Sequence, residues 1–252
     1  MNDWLGLSIG NSRINWGLFQ GEVAIEFGSC QHLSNRSDRD TLIKQIFSSQ
    51  TGEVLPIYLA SVVPQQTKLW LDYSLLRQIT LQDIPVKNLY STLGIDRALA
   101  VYGAGEIYGY PALVIDGGTA LTFTGIDAAQ KLVGGAILPG LRAQLTFLPQ
   151  KTAALPKIEL PQSLPNRWSL DTKTAIASGV IHTLIAGITS FIDDWLESFP
   201  YSQIVFTGGD SNLLWQYLLK FDKSHKNLII DRHLVVQSLK FIYQSDSKNN
   251  LL

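Results

Sequence analysis

Three short stretches hold residue types that could move a phosphoryl group. The first, LGIDRALA (93–100), sets Asp96 beside Arg97 after a Leu-Gly turn, at the mouth of an Ala-rich helix. A primary hydroxyl is a poor nucleophile at neutral pH, so a carboxylate that accepts its proton while a phosphate is held in line acts as base and orienter together. Arg97 is suited to fork onto a substrate carboxylate, and equally to hold Asp96 or to bridge subunits. Taken alone, an Asp-Arg pair is more commonly a solvated surface pair; its setting after the turn favours a function. The second and third stretches, LGLSIGNSRINWG (5–17) and LVIDGGTALTFTG (113–125), are apolar runs broken by glycines. Glycines bury nothing and weaken the strands that hold them. What such a turn offers instead is outward-pointing backbone N–H groups, an anion-binding concavity to which Asn11, Ser12 and Thr119 add side-chain donors.

Displaced by 108 residues, the two glycine stretches superpose: Asp116 falls on Ser8, Gly118 on Gly10, Thr119 on Asn11, Ala120 on Ser12 and Gly125 on Gly17. The chain therefore reads as two similar halves. Two such turns facing each other across a cleft would hold a polyphosphate without the Walker-type GxxxxGK[ST], which the sequence lacks. A further turn, TGGDS (207–211), lets backbone pass close to a flat base or ribose. Each turn alone also fits an ordinary hairpin of a β-rich core; three of them, two in register, favour a nucleotide.

Positioning these groups takes strands that end at the turns. Residues 4–18 alternate apolar and small residues about Gly10 and Gly17, which predicts a strand, a tight turn and a strand, with a third in EVAIEFGSCQHL. SNRSDRD (34–40) reads as a polar loop and TLIKQIF as the helix after it. VLPIYLASVV (54–63) is a buried-type strand stopped by Pro64, and 99–108 is helical up to Gly109 and Pro111. Pro149, Pro156, Pro161 and Pro165 mark 149–165 as an extended surface excursion. A long neutral helix follows, then YSQIVFTGGDS (201–211) as a strand breaking into its turn, and SDSKNNLL as a frayed tail. Strands alternating with helices predict an α/β fold with a largely covered sheet. The division is expected at 108: residues 1–108 carry the first hairpin, and 109–252 the second hairpin, the Gly-Gly turn and the long helix.

The totals narrow the class. At 46% hydrophobic residues a chain of 252 buries a sizeable core. Twenty basic residues against 21 acidic, with no Lys or Arg run, argue against nucleic acid as a partner. Cys30 is the only cysteine, so no internal disulfide forms and a reducing compartment is the natural setting. MNDWLGLSIG carries Asp3 and no basic leader, unlike a secretory signal, and the expected location is the cytoplasm. Thr174 to Ile192 has no Asp, Glu, Lys or Arg and would span roughly 28 Å as a helix. His182, Thr183, Thr189 and Ser190 interrupt it, and Asp193 and Asp194 close it where an interfacial anchor would stand. A buried or subunit-contacting helix is expected there, and no membrane. His32, His182, His225 and His233 are too scattered for a zinc site, and the tryptophans, Trp4, Trp16 and Trp70 among them, read as packing groups.

Together these segments resemble the type III pantothenate kinases, members of the acetate/sugar kinase, Hsp70 and actin superfamily. The resemblance covers nearly the whole chain, through IGNSRINWG (9–17), ASVVP (60–64), LGIDRALA, IDGGTALTF (115–123), GGAILPGL (134–141), KTAALP (151–156), DTKTAIASG (171–179) and FTGGDS (206–211). It implies two duplicated RNase H-like (actin-like ATPase) domains with a cleft between them. It also implies ATP-dependent phosphorylation of pantothenate to 4′-phosphopantothenate, the first step of coenzyme A biosynthesis, in a homodimer that uses Mg2+ and a monovalent cation, K+ or NH4+. By this resemblance Asp96 is the general base, and Gly94, Ile95, Asp96, Arg97 and Thr172 line the pantothenate pocket; Tyr90, just before the motif, is a candidate hydrogen-bonding wall for the amide and hydroxyls of pantothenate, although the family's tyrosine usually lies a few residues further upstream. ATP falls to Ser8, Ile9, Gly10, Asn11, Ser12, Arg13, Ile14 and Asn15 of the first hairpin, to Thr119, and to the adenosine turn Gly208–Gly209. Asp116 is the implied cation ligand.

The chain departs from the family in one place: Ser8 stands where the first hairpin normally begins with an Asp that helps to hold Mg2+. Mg2+ is usually held by one or two carboxylates plus phosphates and water, so losing one weakens capture. A Ser hydroxyl can still orient a metal-bound water, and Asp116 can take a share. The expectation is an active kinase with weak ATP or Mg2+ dependence. The alternatives are a non-catalytic ligand-binding regulatory relative, or another small-molecule kinase, for a sugar or for acetate, on the same scaffold.

Overall fold

The apolar run after Asp3 forms β1 (Asp3–Ile9), in which every residue from Trp4 onward is buried. A strand buried on both faces belongs at the middle of a sheet. The structure, a computed structural model, describes residues 3–47, 54–222 and 228–249, so His225 lies outside the described residues. In it β1 pairs antiparallel with β2 (Ile14–Gln20) and parallel with β4 (Ile57–Ser61), and the sheet is completed by β3 (Val23–Cys30) and β5 (Leu76–Gln78) in the order β3-β2-β1-β4-β5. A second sheet repeats this plan around β6 (Ala112–Gly117). There β7 (Ala120–Ile126) and β8 (Leu132–Pro139) continue as an antiparallel meander, while β9 (Gln203–Thr207) and β10 (Leu228–Ile230) run parallel on the other side. The two sheets share one topology strand for strand, which is the duplication expected from the sequence echo.

The echo is faithful to the inner glycine and then slips by one. Gly6 faces Gly17 across the first hairpin, whereas Val114, 108 residues further on, faces Thr124. The second turn is one residue shorter, so Gly125 and Gly17 are not structural equivalents. Gly125 instead makes room for Trp195, whose ring comes within 2.3 Å of where a Cβ would stand.

Helix α1 (Arg36–Ile46) begins earlier than expected, because the polar cluster read as a loop is its first turn: Asn35 caps the helix by accepting from Asp38 N at 3.0 Å, and Asp38 in return accepts from Ser34 N at 2.9 Å. Pro64 both ends the β4 segment and opens a short α2 (Pro64–Thr67) from its first position. The helix α3 (Ile95–Tyr108) starts at Ile95, which places Asp96 in its first turn. Pro149 lies inside α4 (Leu141–Lys151), two residues from its end, where it removes one i→i−4 bond of the last turn without ending the helix, so the proline-rich excursion starts only after it. Of the tryptophans, Trp4 and Trp70 are fully buried, but Trp168, just past the excursion, is 88% exposed and is no core packing group.

The neutral segment forms α5 (Thr172–Ser198), long and apolar enough to cross a membrane by length and composition. Its Ile176, Ile181, Leu184, Ile185, Ile188 and Ile192 are buried, and from Ile181 onward they build a core with Leu113, Ile115, Phe123 and Phe206 of the second sheet. After α6 (Ser211–Phe221) and β10 comes α7 (Leu234–Asn249), which includes most of the expected frayed tail; residues 250–252 of that tail lie outside the described residues.

The described residues form two compact units, one reaching Gly103 and taking up the chain again from His233, the other Ala104–Arg232. The boundary therefore falls within α3, short of residue 108, and α7 belongs with the first sheet and not with the C-terminal half. The reason is aromatic packing. Trp4 of β1 is stacked between Phe19 and Tyr243 at 4.2 and 4.7 Å, and Arg77 anchors the far end of α7 through Asp246 at 3.0 Å.

Candidate active site

In the first unit the hairpin after β1 is held by its own backbone. Gly10 N donates to Arg13 O at 3.0 Å. Ile9 and Ile14 close the strand pair as buried residues, so what they offer a ligand is backbone; Asn11, Ser12, Arg13 and Asn15 are exposed. Ser8 is only 6% exposed, between Asn15 on one side and Ala60 on the other. The Gly10 carbonyl lies 2.8 Å from Nε2 of His32, so one of the scattered histidines braces this turn. Neither residue type nor spacing pointed to this brace, which spans 22 positions and is made only by folding.

The same edge of the sheet carries Asp96. Val62, just past β4, donates to Ile9 O at 3.0 Å, and its side chain lies 3.8 Å from where a Cβ of Gly94 would stand. The Asp96 carboxylate lies directly over Gly94, its Oδ1 2.4 Å from where a Cβ of that residue would stand. The Asp96 carboxylate folds back over the start of α3, accepting from Arg97 N at 2.8 Å. Burial pushes its pKa above the ordinary 3.8, and the Arg97 N–H and guanidinium oppose that rise without cancelling it. Arg97 is itself buried and donates from Nη1 to the Tyr90 hydroxyl at 3.2 Å, so Gly94, Ile95, Asp96, Arg97 and Tyr90 form one cluster.

The second unit gathers another set. Asp116 pairs in register with Thr207, which brings the β6 end beside the turn Gly208–Gly209. Gly208 has φ +87°, and a Cβ there would lie 2.2 Å from Asp116 Oδ1 and 2.7 Å from Gly117 O. Asp210 N donates to Gly117 O at 2.8 Å, and Gly140 N to Thr119 O at 3.0 Å. Gly140 packs so tightly on the hairpin that a Cβ would be 2.1 Å from Gly118 O. Asp116, Gly118, Thr119, Gly208 and Gly209 are therefore brought together, with Gly140 as a partner that the glycine turns alone did not reveal. Asp210, 6% exposed, accepts from Arg142 Nε at 2.9 Å. The Tyr217 phenol, buried and near the Asp210 charge, is pushed up to about 12.

Thr172 stands exposed in the first turn of α5, next to Asp171, which caps the helix by accepting from Thr174 N at 3.1 Å. His182 lies with Nε2 2.9 Å from Pro165 O and so pins the proline-rich excursion to α5. A shallow hollow of about 400 Å3 on α5 is lined by Asp193, Asp194 and Glu197, whose charges disfavour a polyphosphate. Among the described residues no group of three His, Cys, Asp or Glu is placed to hold a metal ion.

Chemically, these are two glycine hairpins with backbone donors, one close-packed turn, and a half-buried carboxylate at a helix start. Comparison with known proteins gives the family and the fold. The family described as type III pantothenate kinase matches residues 4–194. A type III pantothenate kinase of Nostoc sp. is 45% identical, over 96% of this chain and 94% of its own. Two solved structures show the fold alone. The activator of 2-hydroxyisocaproyl-CoA dehydratase from Clostridium difficile, with bound ADPNP, aligns with TM-score 0.56 at 9% identity, covering 99% of this chain and 98% of that one. MreB 5 of Spiroplasma citri, bound to AMPPNP, aligns with TM-score 0.55 at 12% identity, over 100% and 99%.

Proposed function

The chain belongs to the type III pantothenate kinase family and phosphorylates pantothenate with ATP, and we propose that Asp96 is the carboxylate that takes the proton from the attacking hydroxyl. The observation that carries this is its setting: a carboxylate in the first turn of α3, folded over a glycine that admits it, with its pKa raised by burial. A base whose pKa is raised accepts a proton more readily. Arg97, oriented by Tyr90, is assigned with Gly94, Ile95 and Thr172 to pantothenate. The backbone N–H groups of residues 8–15, with Asn11, Ser12, Thr119 and the Gly208–Gly209 turn, are assigned to ATP. A coupled assay with pantothenate, ATP, Mg2+ and K+ tests this: product formed by wild type no faster than by D96N removes Asp96 from its role.

The donors at Asp116 fit a cation held mainly by the substrate: one carboxylate beside a backbone turn suits Mg2+ carried on ATP phosphates, or a monovalent ion, K+ or NH4+. When bound, such an ion offsets charge on the transferring phosphoryl group. Ser8 lies on a buried ladder position, and S8D there is expected to lower the Mg2+ concentration for half-maximal rate by roughly 3- to 10-fold while reducing metal-free stability, since a buried carboxylate wants a cation. Titrating the initial rate against Mg2+ checks it; an unchanged midpoint would separate Ser8 from the metal.

A homodimer in the cytoplasm completes the reading. Ile181 and Ile188 are 0% exposed within the unit, so charges there probe folding and not assembly. The open face of α5 is Thr183, Ala186 and Gly187, with exposed Phe191 beside it. The double variant T183E/G187R is expected to run as a monomer by light scattering while melting as the wild type does; a persistent dimer would place the contact elsewhere.

A further inference from the structure

We propose that the Arg142–Asp210 ion pair is a positioning device for the nucleotide: Arg142, acting through Asp210, holds the Gly208–Gly209 turn against the second hairpin in the geometry that ATP requires. This rests on the reading that the hairpin and turn hold ATP.

As a stabilising contact the pair makes little sense. Arg142 is 68% exposed in its side chain and Asp210 6%. An exposed guanidinium contributes little to stability, and a carboxylate taken out of water is costly. Asp210 also stands at the N-cap of α6, where an Asp side chain ordinarily accepts from the first-turn N–H groups; it makes no such bond, because its Oδ1 is turned to Arg142 at 2.9 Å. A normal cap has been given up for a partner 68 positions away.

What the pair does hold is the floor of the candidate ATP site. Asp210 follows directly on the glycine turn, and its N–H donates to Gly117 O at 2.8 Å, while Ser211 Oγ donates to Gly208 O at 2.8 Å. Arg142 lies two residues past Gly140, whose N–H donates to Thr119 O at 3.0 Å. Three segments, 116–120, 139–142 and 207–211, are thus interlocked by backbone bonds, and the Arg142–Asp210 bond joins the last two through their side chains. Gly208 leaves no slack, so any tilt of the turn carries Asp116 and Gly117 with it. Displacements of this kind act on ligand geometry far more than on folding.

The test uses R142A, R142K and the double variant R142A/D210N. It reads KM for MgATP, KM for pantothenate, calorimetric Kd for a non-hydrolysable ATP analogue, and Tm. R142A is expected to raise KM for MgATP and the analogue Kd about tenfold, with KM for pantothenate within about twofold of wild type. It also leaves a buried carboxylate unpaired and so lowers Tm; adding D210N is expected to restore Tm without restoring nucleotide affinity. R142K keeps a cation at the site and is expected to melt like wild type yet bind the analogue several-fold more weakly, which keeps the test decisive should R142A fold poorly. Nucleotide affinity that returns with Tm in the double variant, or that is unchanged in R142K, overturns the proposal. Gly208→Ala separates the layers: if it too binds the analogue normally, the turn does not hold ATP, whereas loss there with normal binding in R142K refutes the ion pair's role alone.

Discussion

D96N is expected to fold, to bind both substrates, and to lose on the order of 10²- to 10⁴-fold in kcat, the range that a positioned proton acceptor contributes. The amide keeps the size of the carboxylate and can still accept from Arg97 N, so the start of α3 should be undisturbed. What it loses is basicity. Stability should move the other way. Asp96 has a folded pKa above 3.8, so the folded chain binds its proton more tightly than the unfolded chain does. Its contribution is therefore most favourable at low pH and is lost as pH rises through 3.8 and the folded value, above which a half-buried charge remains. An amide carries no such charge, so D96N should melt at or above the wild-type temperature on the alkaline side of the folded value, with the difference shrinking as pH falls through it. Initial rates and thermal melts on the same preparations check both halves. A variant that loses activity only because it unfolds would show a lower melting temperature.

Gly208→Ala should be strongly damaging to the candidate nucleotide site of the second unit. A residue with a Cβ at φ +87° costs about 1–3 kcal/mol from the backbone alone. The added carbon would also stand 2.7 Å from Gly117 O, which is backbone and cannot swing aside, and 2.2 Å from Asp116 Oδ1. The turn or Asp116 must move, and KM for ATP is expected to rise on the order of 10- to 100-fold with KM for pantothenate little affected. Gly209 is the built-in comparison. A Cβ there meets nothing within 4 Å, so G209A should melt like wild type. Steady-state kinetics with each substrate varied in turn decides the point; equal losses for both substrates would mean general damage to the fold and not to a nucleotide site.

What the amino-acid sequence made legible was local. Both hairpins follow from apolar runs broken at Gly10 and Gly118, and the shared sheet topology follows from the 108-residue echo, because turn and strand signals act over a few positions. The same logic misread SNRSDRD, since polar residues that favour loops also cap helices, and only the Asn35–Asp38 bond distinguishes the two. Contacts made by folding left no local mark. The α7 helix returns to the first sheet through Trp4 and Tyr243; His32 reaches Gly10, and Arg142 reaches Asp210, each across a separation that no periodicity encodes. The one-residue slip after Gly118 was hidden for a different reason, because a glycine coincidence at 17 and 125 imitated continued register. Thr172 rests on resemblance, since an exposed Thr in a helix's first turn carries no chemical signature of its own.

The measurement that bears most directly on Asp96 as the base is the pH dependence of single-turnover phosphoryl transfer to pantothenate, both substrates saturating, with D96N run beside the wild type. The wild-type rate should fall toward acid along a single limb whose midpoint lies above 3.8, and the residual rate of D96N should lack that limb. A wild-type rate still flat at pH 4, or the same acid limb persisting in D96N, would contradict the assignment.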